Sequence, residues 1–239
     1  MAAERLRWAI FASSVLSAVG NPEAHLWRTI GTVLTHQNNE ATFFEERGNP
    51  ALRALLQQSG GTALLQFRER FPEIQYRTLD RRTGYDLADW LTRTLSTVDI
   101  AVAQRDAPGE LIASLSDFSR PYLQTFIVDC GWVRQSPEPT ADLSRFAGLT
   151  GVLVANESLA ETYRGAVPVD RIHLLDALPE RAPDDNIYHR SPELLDNAAR
   201  QIIDTISSIS QGIRRARGAQ ILSNGRTDQA DHSTHNQAD

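Results

Sequence analysis

Lysine is absent from the 239 residues, so all 24 basic side chains are arginine. That excludes a Schiff base, a P-loop lysine and a lysine general base. Cysteine and methionine occur once each. The lone cysteine, Cys130, makes neither an internal disulfide nor a cysteine-cluster metal site. Nowhere is there a run of about 18 apolar residues, so no membrane span is expected. Positive charge is also short. The formal net charge is −6, which argues against general nucleic-acid binding. What is present is a hydrophobic content of 41%, enough for a sizeable core.

The N-terminus has the outline of a signal peptide, with Arg5 and Arg7 ahead of an apolar run from Trp8 to Val19. Glu4 among the arginines, and Ser13, Ser14 and Ser17 within the run, favour a first buried strand instead. A cytoplasmic location follows by default.

Strand-like and helix-like segments then alternate. Arg7–Val15 reads as a strand and Pro22–Gln37 as a helix, with Leu26, Trp27, Ile30, Val33 and Leu34 at helical spacing. Ala41–Phe44 reads as strand two. Asn49-Pro50 opens a helix as cap and first residue, and Gly60-Gly61 breaks it before a second piece that runs to about Arg70. Strands are predicted over Glu73–Leu79, Asp99–Ala103, Leu123–Val128, Gly151–Ala155 and Arg171–Leu175. Helices are predicted over Thr83–Thr97, Pro108–Leu115, Ala141–Ala147 and Glu157–Arg164. Short strands rich in Val, Ile, Leu and Ala suit burial on both faces. The alternation predicts an α/β, doubly wound, mostly parallel Rossmann-like sheet of about seven strands over residues 1–180.

A linker is expected over 181–190. Ser191-Pro192-Glu193 then starts an amphipathic helix, carried by Leu195, Ala199, Ile202, Ile206, Ile209 and Ile213 and expected to stop at Gly218. Residues 219–239 are polar and aromatic-free, and read as a disordered tail that contains His232 and His235.

Ligands of an open parallel sheet bind beyond the carboxyl ends of its strands. That rule selects Ser13, Ser14, Ser17 and Asn21, with His25 in the first turn of the following helix. It also selects Glu45 and Glu46, Arg105, Asp129, and Asn156 with Glu157. The first loop reads SSVLSAVGN and lacks G-x-G-x-x-G, so a dinucleotide site is not expected. No G-x-S-x-G elbow occurs either. The three serines could bind a phosphate or sugar, or merely satisfy a tight turn. His25 has the chemistry of a general base, or serves only its own helical turn. Glu45 and Glu46 could accept from sugar hydroxyls, or form a solvated strand end with Arg47. Asp129 is costly to bury without a purpose, whereas Cys130 suits simple packing.

The stretch from Phe11 to Pro50, with Ala41-Thr42-Phe43-Phe44-Glu45 as its second strand, resembles the opening of two-domain glycosyltransferases of the spore-maturation CgeB type. The later segment GVLVANESLAETYRGAVPVDRIHLLDALPE resembles them too, through Asn156, Ser158, Ala160, Tyr163, Pro168, Arg171 and Ile172. The resemblance spans about residues 7–180 and implies the N-terminal, acceptor-side half of a GT-B, family 4-like glycosyltransferase. It further implies a nucleotide-sugar donor held by a second half that this chain lacks, no tightly bound cofactor and no metal. Catalytic roles would fall to His25 and Asp129. Substrate contacts would fall to Ser13, Ser14, Ser17, Asn21, Glu45, Glu46, Arg105, Asn156 and Glu157.

Two functions follow. In one, the chain is an acceptor-side glycosyltransferase domain that binds a glycan or small-molecule acceptor and works with a separate donor-binding subunit, without which it is incomplete. In the other, it is a non-catalytic binding module that forms homodimers or docks through the helix over 191–217.

Overall fold

A computed structural model describes residues 5–16, 22–79, 86–118, 120–132, 143–178 and 192–233. Seven parallel strands form one sheet: β1 (Arg7–Phe11), β2 (Glu40–Glu46), β3 (Gln75–Leu79), β4 (Ile100–Gln104), β5 (Gln124–Asp129), β6 (Gly151–Val154) and β7 (Ile172–Leu174). Their spatial order is β3-β2-β1-β4-β5-β6-β7. The winding reverses between β1 and β4, and this is the topological switch point of the sheet. The helices between strands are α1 (Pro22–His36), α2 (Pro50–Ser59), α3 (Thr62–Arg70), α4 (Leu87–Thr94), α5 (Gly109–Asp117) and α6 (Glu157–Tyr163). The doubly wound α/β sheet predicted from the alternation is the fold observed.

Alternation along the strands sorts side chains onto two faces. Ala9, Phe11, Phe44, Ala101, Ala103, Ile127 and Val152 belong to a core that includes Leu91 and Leu95, and Leu111, Ile112 and Leu115 of α5. Phe11 stacks on Phe44 at 5.1 Å, and Trp90 meets Phe44 edge-on at 5.4 Å. The opposite parity gives Trp8, Ile10, Phe43, Ile100 and Val102, all buried. There α1 approaches closely: a Cβ on Gly31 would lie 3.1 Å from the Phe43 ring.

Several boundaries differ from the sequence expectation. β1 ends at Phe11 rather than Val15, because the backbone of Ser13 to Leu16 bonds to side chains instead of a strand. Helix α4 starts at Leu87 behind Asp86, whose carboxylate accepts from Ala88 N at 2.9 Å. The expected helix over 141–147 is a single 3₁₀ turn, Leu143–Phe146, within the described residues. The break at Gly60-Gly61 separates α2 from α3 as expected, with Gly60 at φ 58°.

The last helix, α7, runs Pro192–Ser233. It continues past Gly218 and through 219–233, where the sequence suggests a structureless tail. A glycine inside a helix costs only about 1 kcal/mol relative to alanine, and Ala219 and Gln220 beyond it favour helix. Compact packing divides the chain into two units, Met1–Ile203 and Asp204–Asp239. Within the first, Leu195, Ala198, Ala199, Ile202 and Ile203 are buried, and Gln201 Oε1 accepts from Ala177 N at 2.8 Å. The Ser191 cap, the 181–190 linker and the tail beyond 233, with His235, lie outside the described residues, as do the side chains of 221–233, His232 included.

One close approach fixes the chain after α5. A Cβ on Gly148 would stand 2.2 Å from the Ser116 carbonyl oxygen, and Gly148 N donates to Ser116 Oγ at 2.8 Å. Gly148→Ala should therefore cost about 2 kcal/mol or more, read as a lower urea midpoint with an unchanged slope. An unshifted midpoint would mean that α5 gives way freely.

Candidate functional site

The turn after β1 contains no glycine before Gly20, so it cannot tighten as a glycine-rich phosphate loop does. It is held from outside instead. Val15 N and Leu16 N both donate to Glu45 Oε2, at 3.1 and 3.0 Å. The carbonyls of the same two residues accept from Arg28, at 2.7 Å to Nε and 2.8 Å to Nη2. Asn49 Nδ2 donates to Ser13 O. The backbone N–H and C=O groups of two consecutive residues thus sit between a carboxylate from β2 and a guanidinium from α1.

Both ends of this clamp are desolvated. Glu45 is fully buried, accepts also from Tyr76 Oη at 3.3 Å, and has its carboxyl pKa raised by burial. Burial, and next the Arg70 charge, lower the Arg28 pKa to about 10. The Arg28 guanidinium lies over Phe67 and Phe71, 5.5 and 5.2 Å from the ring centres. Burial and the neighbouring Glu45 also raise the Tyr76 hydroxyl.

Across the switch point, Gln104 ends β4 with 1% of its surface exposed. Its Oε1 accepts from Ser13 N and Trp27 Nε1, both at 2.9 Å. Its Nε2 donates to Glu23 Oε2. Glu23 lies in the first turn of α1 and is 3% exposed. Burial, then the charges of Asp106 and Asp129, push its pKa up from 4.5 to about 8, against an opposing hydrogen bond from Gln104. The Cys130 thiol beside it is driven well above its usual range by burial and by Glu23, Asp129 and Asp106. It is a packed, protonated thiol rather than a nucleophile.

On the opposite face, Asp129 at the end of β5 is 8% exposed. Its Oδ2 accepts from Tyr163 Oη at 2.7 Å and its Oδ1 from Gly131 N at 3.0 Å, where the chain turns with φ 67°. Arg105 also bonds the Tyr163 hydroxyl and lies 5.3 Å over the Phe146 ring. Burial and Asp129 raise the Tyr163 hydroxyl, so it stays a donor to the carboxylate.

The sequence-selected residues therefore separate. Ser13, Asp129 and Arg105 lie at the ends of β1, β5 and β4, with Ser14 buried in the turn. Glu45 is in the clamp, and Glu46 follows it, half-buried, at the end of β2. His25 is half-buried on α1, and its carbonyl accepts from Thr29 Oγ1 at 3.0 Å. Asn156 caps α6, accepting from Leu159 N at 3.0 Å, and Glu157 pairs with Arg164. Ser17 and Asn21 lie outside the described residues.

The list by position omitted Glu23, Arg28 and Gln104. A signal for two of them was present. Glu23 stands four residues before Trp27, on the buried stripe that continues through Ile30 and Leu34. Gln104 follows Ile100 and Val102 at strand spacing and so falls on the face toward α1. Among the described residues no three of His, Cys, Asp and Glu gather in a way that could hold a metal ion, and no helix is long and apolar enough to cross a membrane.

No family model matches the chain. No curated protein matches it in sequence. Among solved structures, the crystal structure of LpCGTa in complex with UDP is similar over 74% of this chain and 53% of that one, so the match spans about half of the solved chain. The identity is 11% and the TM-score 0.42.

The buried Glu23 sets a pH signature. Between pH 4.5 and about 8 the folded chain keeps a proton that the unfolded chain has released. Stability then falls as pH rises through that window, and the loss is complete above it. Raising the pH from 5 to 9 should cost the native chain on the order of 4 kcal/mol more than it costs Glu23→Gln, measured by urea unfolding. Parallel losses in the two proteins would show that Glu23 ionises normally.

Proposed function

We propose that the chain is the acceptor-side domain of a glycosyltransferase-like enzyme, acting with a donor-binding partner and holding a hydroxyl-bearing acceptor at the ends of β1, β4 and β5. One observation carries this reading: a buried carboxyl, Glu23, sits beside the switch point on Gln104, and burial with the charges of Asp106 and Asp129 pushes its pKa up to about 8. Carboxylates recognise hydroxyl groups, which donate to them, and they repel the phosphates of a nucleotide. The two arginines beside this crevice are already engaged. Arg28 holds the Val15 and Leu16 carbonyls, and Arg105 holds Tyr163 over Phe146. A donor diphosphate is therefore better held by a partner domain.

A base with a pKa near the working pH suits the chemistry. Ionised Glu23 takes the proton of the acceptor hydroxyl, whose oxygen then bonds to the anomeric carbon of the donor sugar. The bond from that carbon to the nucleotide breaks, and the nucleoside diphosphate leaves with the bonding pair. Asp106 and Asp129 supply the charge that keeps Glu23 basic.

Calorimetric titration tests this at pH 8. Neutral oligosaccharides should bind, and Asp106→Asn should weaken them about tenfold, or about 1.4 kcal/mol. UDP- and GDP-sugars should bind no tighter than about 1 mM, near −4 kcal/mol. Tight nucleotide-sugar binding would make this a donor site. Failure to bind any glycan, with or without a donor-binding partner, would favour a non-catalytic module that docks through its last helix over 191–217.

A further inference from the structure

The Gln104 amide is held in one orientation by its own partners. Backbone and indole N–H groups only donate, so the atom that meets both Ser13 N and Trp27 Nε1 must be the oxygen. The nitrogen is then turned toward Glu23. An amide flip would set Nε2 against two donors, each buried or half-buried, and would set Oε1 against a carboxyl oxygen. The three partners come from the turn after β1, the first turn of α1 and its second turn, whereas Gln104 itself belongs to β4. This one side chain joins the two strands on either side of the switch point.

We propose that Gln104 is the positioning residue of the crevice: its amide, oriented by Ser13 and Trp27, aims an N–H at Glu23 and fixes where that carboxyl holds its proton. The inference builds on the reading of Glu23 as the acceptor's base, and it adds what sets that base. A donor on Oε2 leaves Oε1 to carry the proton. It also favours the ionised carboxyl, against the burial and the Asp106 and Asp129 charges that oppose ionisation. Among the described residues, the charges that oppose ionisation of Glu23 are Asp106 beyond β4 and Asp129 at the end of β5, with the protonated Cys130 thiol beside them. Gln104 is the neutral group that counters them.

The test is a carbon-13 NMR titration of the Glu23 side-chain carboxyl in the full chain. The native midpoint should fall near pH 8. Gln104→Met removes the donor and should raise the midpoint by about one unit. Gln104→Glu places a second acid against Glu23, and its titration should split into two separated steps. Trp27→Phe removes one of the two anchors and should shift the midpoint upward by less. It carries the test if the Gln104 variants do not fold. An unchanged Glu23 midpoint in a folded Gln104→Met, or in Trp27→Phe where that variant alone is folded, overturns the proposal. These midpoints are read without any sugar present. Loss of the glycan reading would leave the shifts in place, and absent shifts would leave glycan binding standing.

Discussion

The arrangement depends on how the turn after β1 is held. Doubly wound sheets that bind dinucleotides tighten this turn with glycines and cover it with phosphate. Here Ser13-Ser14-Val15-Leu16 carry side chains throughout, and the peptide units of Val15 and Leu16 are buried without a ladder partner. Buried N–H and C=O groups must be paired, because an orphaned one costs about 1–3 kcal/mol. Glu45 supplies the acceptor and Arg28 the donor, one on each side of the chain. The cost of burying two charges is offset because they share the same peptide dipoles and because Arg28 rests on two aromatic rings.

Because the turn is fixed, α1 enters the sheet at one place, and its first residues meet β4. Glu23 and Trp27 can then both reach Gln104. A carboxyl thus occupies the position beside a helix N-terminus where related topologies carry a bound anion. Asp106 and Asp129 gather around it, so the crevice is acidic and Glu23 keeps its proton to an unusually high pH. That electrostatic character connects the fold to the proposed chemistry. It suits a ligand that brings hydroxyl groups and opposes one that brings phosphate.

Most of the fold was legible in the sequence. Strand-length segments alternating with helical spacing leave little but a parallel sheet, and DIAVA and LQTFIV lie where β4 and β5 form. Less of the site was legible. Position relative to strand ends selected Ser13, Arg105 and Asp129, which lie at one end of the sheet, and also Glu45, which faces inward to hold a turn. No local pattern distinguishes a carboxylate that meets solvent from one that meets backbone amides 29 or 30 residues away. Glu23 lies on the apolar stripe of α1, but the stripe alone does not show what it faces. Only the return of β4 beside β1, a contact across 81 residues, converts it into a buried group. The long reach of α7 past Gly218 was likewise hidden, because one glycine is a weak stop.

The central claim is that Val15 and Leu16 are fixed by a buried carboxylate although they lie outside any strand or helix. Amide hydrogen exchange followed by NMR measures this directly. The Val15 and Leu16 amides should exchange as slowly as those of β1 and β4, and Glu45→Ala should release them to loop-like rates while the strand amides of a still-folded chain stay protected. Rapid exchange of Val15 and Leu16 in the native chain would contradict the account.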